Sequence, residues 1–134
     1  MRSRICLTRK DAVKFLKQGS AKWSNKTLIY LDPPYYVKGR ELYHDFYKPE
    51  DHTKVADAVR ENLSGQKWIV SYDNVAAIRS LYANVRHVTY DIGYSARSAR
   101  KGSEVMFFCD GLKGPPGLGM MSLSTDQSKI LFGK

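Results

Sequence analysis

At 134 residues the chain has room for one domain, and a hydrophobic content of 43% is typical of a globular protein rather than of a disordered one. Lysine and arginine number 22 against 13 acidic residues, and the resulting net charge of +9 attracts polyanions such as nucleic acids. No segment approaches the roughly 18 apolar residues of a transmembrane helix, and the N-terminal residues lack the apolar centre of a signal peptide, so we expect a cytoplasmic protein that uses no membrane.

The N-terminal part of the chain predicts a strand, a helix and a second strand. The letters "RICLT" favour a short strand, and Thr8-x-x-Asp11 is a capping signal for a helix that ends at Gly19. Residues 27–31, "TLIYL", are apolar at nearly every position, which is typical of a strand buried on both faces of a sheet. The polar and aromatic segment that follows this strand has no clear period and indicates a loop.

The remainder predicts two helices and three strands. Pro49 with two acidic residues marks the first turn of a helix, in which apolar residues recur every fourth position up to Leu63. "KWIVSY" is the next strand, and a short helix follows it with Asp73 as its expected N-cap and Asn74 as the competing candidate. The last two strands, "VRHVTYDI" and "EVMFFC", are joined by the basic loop "GYSARSARKG" without a helix, so they should pair antiparallel.

The alternation of strands and helices predicts an α/β fold. We expect a partial Rossmann-like sheet, mostly parallel, that closes with the C-terminal antiparallel pair. Residues 1–110 should form this domain. Residues 111–134 are rich in glycine and proline and have no period, so they predict a mobile or loosely packed tail that is prone to disorder.

The segment Asp32-Pro33-Pro34-Tyr35 carries the clearest chemical signal. It lies where a strand of an open α/β sheet ends, which is where such sheets bind ligands. Each proline keeps the preceding residue out of the helical region and lacks an N–H, so a carboxylate and a backbone carbonyl can face one point as two acceptors. These acceptors and a neighbouring ring suit a planar heterocycle with an exocyclic amino group. The alternative is a stiff turn whose tyrosines only pack.

The histidines and cysteines give no sign of a metal site or of nucleophilic catalysis. His44, His52 and His87 have neither metal-ligand spacing nor a partnered nucleophile, and we interpret them as surface or loop residues. Cys6 and Cys109 offer neither a CxxC motif nor a disulfide framework. The sequence therefore predicts no bound metal.

Three segments together resemble a known family. "LIYLDPPYYVKGRELYHDFYKPEDH", "WIVSYDN" and "YDIGYSARSARKGSEVMFF" are similar, in the same order, to the C-terminal half of the Dam-like, D12-class DNA adenine-N6 methyltransferases. The similarity spans residues 5–109. It implies a methyltransferase sheet, and transfer of a methyl group from S-adenosylmethionine to the amino group of an adenine flipped out of double-stranded DNA.

The resemblance also implies roles for individual residues. Asp32, Pro33, Pro34 and Tyr35 correspond to the catalytic motif, with Tyr35 stacking on the base and Asp32 also touching the edge of the cofactor pocket. Candidates for contact with the base or with DNA phosphates are Tyr36, Lys38, Arg40, Tyr94, Arg97, Arg100 and Lys101. For the basic residues of the loop "GYSARSARKG", here called the late loop, the alternative role is that of a solvated hairpin without DNA contacts.

The chain departs from the family pattern in the cofactor-binding part. The Phe-x-Gly-x-Gly turn, the acid that holds the cofactor ribose and the target-recognition domain precede the Asp-Pro-Pro-Tyr motif in the family and are not found in these residues. In the family, the strands that carry the Phe-x-Gly-x-Gly turn and the ribose-binding acid lie beside the strand that corresponds to the one ending at Asp32. We therefore expect residues 27–31 to form a bare edge, paired with a second copy in a homodimer or with a polypeptide that supplies the missing N-terminal half.

Other functions share parts of this pattern. The chain could be a non-catalytic nucleic-acid-binding remnant of a methyltransferase, retained for its basic surface and base pocket. It could also be an RNA base methyltransferase, because some RNA guanine-N2 enzymes resemble it in carrying D-P-P-Y. Cytosine-N4 enzymes generally have Ser, and glutamine-modifying enzymes Asn, at the position of Asp32. The downstream segments "YYVKG" and "RKGSE" favour the DNA adenine enzymes.

Overall fold

The computed structural model describes residues 4–37, 39, 46–93, 101–113 and 121–123. In chain order the elements are α1 (Ala12–Gly19), β1 (Leu28–Leu31), α2 (Pro49–Asn62), β2 (Lys67–Asp73), α3 (Ala76–Leu81), β3 (His87–Gly93), β4 (Lys101–Phe108) and β5 (Met121–Leu123).

The strands form one mixed sheet in the order β1-β2-β4-β3-β5. β1 and β2 are parallel, and the pairings β2–β4, β3–β4 and β3–β5 are antiparallel. The predicted α/β fold with its antiparallel β3–β4 pair is confirmed. β1, β2 and β3 all run in one direction, but β4 lies between β2 and β3, so among the described strands the direct parallel contact is that of β1 with β2.

The three helices share a hydrophobic core with one face of the sheet. Ile29 and Leu31 of β1 point into this core and are each 9% exposed, whereas Leu28 and Tyr30 on the opposite face are 54% and 57% exposed. The expectation that this strand is buried on both faces is therefore wrong. β1 is the edge strand of the sheet, as predicted, and only its helix-facing side is covered by the described elements.

The helix ends follow local chemistry. Asp11 caps α1, because its carboxylate accepts the Lys14 N–H at 2.9 Å. α2 begins at Pro49 as predicted, and the Asp51 carboxylate accepts the Lys48 N–H at 3.0 Å. The N-cap position of α3 is Val75, without a side-chain cap, so the expected capping role of Asp73 or Asn74 is wrong.

Several expectations for the rest of the chain are also corrected or refined. The segment "ICLTRK" at residues 5–10 is not a strand, and its apolar Leu7 is 93% exposed. His52 is not a surface residue but 1% exposed, in α2. Within the predicted tail, Met121–Leu123 pair with β3 as strand β5. The helices of the described residues are all too short or too polar to cross a lipid bilayer.

Candidate functional site

The direction of the strands brings three acidic residues to one end of the sheet, where β1 and β2 finish. Asp32 follows the last residue of β1, and Asp73 is the last residue of β2. Because β4 runs antiparallel to β2, its N-terminal part lies at the same end of the sheet, where Glu104 pairs in register with Asp73. Side chains that are far apart in sequence therefore converge on the Asp-Pro-Pro-Tyr motif.

The carboxylate of Asp32 is held by a hydroxyl from the neighbouring strand. Ser71 Oγ lies 3.1 Å from Asp32 Oδ1 and 2.8 Å from the hydroxyl of Tyr30. Because a carboxylate only accepts, the single hydroxyl proton of Ser71 is donated to Asp32, and the Tyr30 hydroxyl donates to Ser71. Ser71 is 3% exposed, so this chain of hydrogen bonds is anchored inside the sheet.

The backbone after the motif is fixed by a second side chain of β2. The Asp73 carboxylate accepts the N–H of Tyr36 at 2.7 Å and the N–H of Val37 at 3.0 Å. Two consecutive N–H groups directed at one carboxylate form an anion-binding concavity of the backbone. Asp73 is only 9% exposed, so it defines the path of the chain as it leaves the motif.

The ring of Tyr35 is tethered to the sheet at its hydroxyl. This hydroxyl donates to Glu104 Oε1, and the hydroxyl of Tyr90 donates to Glu104 Oε2 at 2.6 Å. Burial, together with the bond to Glu104, raises the pKa of Tyr90, so this hydroxyl stays protonated and remains a donor. The two oxygens of one carboxylate thus bind tyrosines from two different parts of the chain.

Tyr36 faces a different part of the molecule. Its ring centroid lies 5.1 Å from that of His52 in α2, and His52 Nδ1 lies 3.2 Å from the hydroxyl of Tyr72. Burial raises the pKa of Tyr72. Tyr35 and Tyr36 therefore have separate surroundings, the first at the end of the sheet and the second against the helical layer.

The motif lines two cavities. The first, here called the edge cavity, has a volume of about 250 Å³ and is lined by Asp32, Pro33, Pro34 and mainly apolar or aromatic side chains of α1, β1, α2 and the segment before it. The second, the sheet-end cavity, has a volume of about 220 Å³. Its lining residues are Tyr35, Val37, Asp73, Asn74, Val75, Gly102, Ser103 and Glu104.

Comparison with known protein families gives a match over a large part of the chain. The model of the family "D12 class N6 adenine-specific DNA methyltransferase" matches residues 13–94, which is more than half of the chain. The chain belongs to this family. A search of curated proteins gave no significant match. D12-class membership indicates adenine methylation of DNA and implies a methyl donor such as S-adenosylmethionine.

The four consecutive motif residues predicted for the catalytic site follow the carboxyl end of β1, with Asp32, Pro33 and Pro34 lining the edge cavity and Tyr35 the sheet-end cavity. Of the further DNA-binding candidates, Tyr36 packs toward His52, and Lys101 is the first residue of β4, with a side chain outside the described part. Lys38, Arg40, Tyr94, Arg97 and Arg100 lie outside the described residues. Their predicted contacts with DNA remain predictions.

Of the three residues that hold the motif, sequence reasoning missed Ser71 and Glu104 and gave Asp73 the role of a helix N-cap. Ser71, Asp73 and Glu104 belong to the small set of buried polar residues in the described structure. A signal for the first two was present, because Ser71 and Asp73 stand two apart at the end of the predicted strand and therefore share one face. No cluster of three metal-binding side chains occurs in the ranges that the structure describes.

Proposed function

We propose that this chain forms the acceptor-base side of a site-specific DNA adenine-N6 methyltransferase, which transfers a methyl group from S-adenosylmethionine to a flipped adenine in double-stranded DNA. The observation that carries the proposal is the Asp32 carboxylate, fixed by Ser71 at 3.1 Å and followed directly by the carbonyl of Pro33 at the carboxyl end of β1. Membership of the D12 class supports the choice of adenine and of DNA.

These two acceptors address the weak point of the reaction. The lone pair of an exocyclic amino nitrogen is delocalised into the adenine ring, so the nitrogen is a poor nucleophile. If Asp32 and the carbonyl of Pro33 each accept one of its N–H hydrogens, the nitrogen becomes more tetrahedral and its lone pair is directed away from both acceptors. The chain thus contributes orientation and electrostatic stabilisation rather than a covalent intermediate.

The proposed place for the flipped base is between the two cavities, with its amino group at Asp32 and the Pro33 carbonyl, which line the edge cavity, and its ring toward the sheet-end cavity. Tyr35 forms one wall of the sheet-end cavity, so its ring is available as a stacking surface, and the other walls come from the ends of β2 and β4. Extracting a base from the duplex costs a few kcal/mol, which an aromatic pocket offsets. The proposed role of Tyr36 is structural support of this pocket from the side of α2, given its contact with His52.

The described residues do not fit a whole S-adenosylmethionine molecule. The edge cavity offers one carboxylate, Asp32, and rings such as those of Phe15, Tyr30 and Tyr47. It has no glycine-rich turn and no second acid for the ribose hydroxyls of the cofactor. Asp32 would therefore touch only the edge of the cofactor, and the remaining contacts require residues other than those that the structure describes.

We propose that a second polypeptide supplies these contacts at the edge of β1. Among the described strands, β1 pairs only with β2, and its outer face carries the exposed side chains of Leu28 and Tyr30. An apolar edge strand is a template for pairing with another chain. A strand added at β1 would lie beside the edge cavity and Asp32, either from a second copy or from a separate donor half.

DNA binding rests on charge as well as on the base pocket. The net charge of +9 adds a salt-dependent attraction for the phosphate backbone. The proposed phosphate and base contacts are Lys38 and Arg40 after the motif, and Tyr94, Arg97, Arg100 and Lys101 in and after the late loop. Phosphate contacts would position the duplex, while Asp32 and the Pro33 carbonyl would select the amino group.

The test is transfer of labelled methyl from S-adenosylmethionine to unmethylated genomic DNA, at a concentration where light scattering shows the assembled form. We expect label on adenine N6, at least about 100-fold less with Asp32→Ala, and full incorporation with Asp110→Ala, which removes an exposed acid at the far end of β4. Label that Asp32→Ala does not reduce, or label on RNA alone, contradicts the proposal. No incorporation by the assembled, folded protein would favour a nucleic-acid-binding remnant.

A further inference from the structure

Glu104 is a carboxylate with an unusual environment. It is 9% exposed, yet the ion pairs found among the described residues, Lys54 with Asp51 and Arg60 with Asp57, both lie on α2 and do not involve it. Burying a carboxylate is costly unless hydrogen bonds compensate.

Within the described structure, the compensation for Glu104 comes from two tyrosine hydroxyls. Oε1 accepts from Tyr35, a residue 69 positions away in the chain, and Oε2 accepts from Tyr90 on the adjacent strand β3. A well-packed apolar residue at such a position is often as stabilising as a buried charge. The stability of the sheet therefore does not by itself explain a carboxylate here, whereas the need to hold the ring of Tyr35 does.

We propose that Glu104 is a positioning residue, which fixes the ring of Tyr35 as one wall of the base pocket, and that Tyr90 locks Glu104 in place. A tyrosine ring attached only through its own side-chain bonds can swing about them. A hydrogen bond at the tip of the ring removes this freedom before the base arrives, which reduces the entropy lost on binding. The inference rests on the proposed function, because it assumes that the base stacks on Tyr35.

The surroundings of Tyr90 suit this locking role. Burial and the Glu104 carboxylate raise its pKa, and the nearby Tyr30 and Asp32 act in the same direction. The Tyr90 hydroxyl therefore keeps its proton well into the alkaline range and donates to Glu104 continuously. The carboxylate is thus held from the side of β3 while its other oxygen holds Tyr35.

The experiment compares Tyr35→Phe, Glu104→Met, which keeps the length of the side chain but removes both acceptor oxygens, and the double variant, with Glu61→Met on the exposed face of α2 as the control. The first readout needs no methyl donor: affinity for a single-stranded oligoadenylate, measured by fluorescence anisotropy. Each single variant should weaken binding by a similar factor of about 3 to 10, since the ring on which the base stacks is still present and only its orientation is lost. The double variant should be no weaker than either single one.

The second readout is turnover on DNA. Glu104→Met and Tyr35→Phe should each lower kcat by about 10- to 100-fold, because the bound base is less well oriented for transfer, with a smaller change in KM. The signal of ¹³C-labelled Tyr35 should shift in Glu104→Met while the melting temperature stays within a few degrees. Tyr90→Phe should give the same changes in weaker form.

The outcomes separate this inference from the proposed function. If Glu104→Met binds oligoadenylate like the wild type, or if the two single effects add in the double variant, Glu104 does not act through Tyr35 and the inference is overturned even where methylation is observed. If the wild type does not methylate DNA but the two effects on binding are equal and non-additive, the positioning role stands and the proposed reaction fails.

Discussion

Asp73 and Tyr36 are 37 positions apart in the chain, yet the carboxylate of the first accepts the backbone N–H of the second at 2.7 Å. The same carboxylate accepts the N–H of Val37 at 3.0 Å. A backbone segment that leaves a pair of prolines has few partners of its own, because neither proline carries an N–H. The path of the chain after Pro34 is therefore set by a side chain of the neighbouring strand.

Replacing Asp73 should loosen this segment. Asp73→Asn leaves an amide that can accept only through one oxygen, so at least one N–H loses a charged acceptor, and we expect a loss of about 1.5–3 kcal/mol in the free energy of unfolding. Amide hydrogen exchange measured by NMR should be faster at Tyr36 and Val37. Asp110→Asn, at an exposed turn, is the control. Unchanged exchange at both amides would show that the carboxylate does not hold the segment.

Ser71→Ala should separate stability from activity. The variant removes the donor to Asp32 and the acceptor of Tyr30, so turnover on DNA should fall by about 10-fold or more because the reacting group is less well oriented. The free energy of unfolding should fall by only about 1–2 kcal/mol, because each of the two lost hydrogen bonds contributes about 1 kcal/mol net and the exposed Asp32 and Tyr30 can bind water instead. Ser80→Ala, whose hydroxyl bonds within α3, is the matched control. Wild-type turnover in Ser71→Ala would refute the orienting role.

Gly19 should not tolerate a side chain. A Cβ built at Gly19 would lie 2.0 Å from Cζ2 of Trp23, so the indole would have to move. Although alanine normally favours a helix over glycine, we expect Gly19→Ala to lose about 1–3 kcal/mol in urea unfolding through overpacking. At Gly111 an added Cβ meets nothing within 4 Å, and Gly111→Ala should be close to neutral. Equal effects of the two substitutions would contradict the packing of Trp23 on α1.

The buried tyrosines should make the protein less stable in alkali. Burial raises the pKa of Tyr72 and Tyr82 in the folded state above the value of about 10 in an unfolded chain. Their contribution to the free energy of unfolding is fully present well below pH 10. It is lost as the pH rises further, because the unfolded state releases these protons first. Urea unfolding between pH 8 and pH 11 should show this decline, with a smaller slope in Tyr82→Phe; an identical slope would contradict the assignment.

The exposed edge of β1 should determine the state of association. Light scattering after size-exclusion chromatography should show a dimer, or a complex with a donor half, and Leu28→Lys should weaken it because a charged side chain blocks strand pairing. Leu7→Lys changes an even more exposed apolar residue outside the sheet and is the control. A wild-type monomer at high concentration would contradict the predicted pairing.

Local patterns predicted much of the fold but not the contacts of the site. Pro49 and the recurrence of apolar residues at every fourth position predicted α2 well. His52 could also have been placed in the core, since it lies three residues before Val55 on the same helical face. By contrast, no local pattern shows that β4 lies between β2 and β3. The register of Asp73 with Glu104 follows from that order, so the tether of Tyr35 could not be predicted.

The insertion of β4 also bears on how far the motif can be transferred. The four residues from Asp32 to Tyr35 owe their arrangement to Ser71, Asp73 and Glu104, which come from two other strands. A designer who grafts the four letters onto the end of another strand would copy the reactive groups without their geometry. The smallest transferable unit is a three-strand corner, and a search for this chemistry in other proteins should look for the serine, the two acids and the strand order together with the motif.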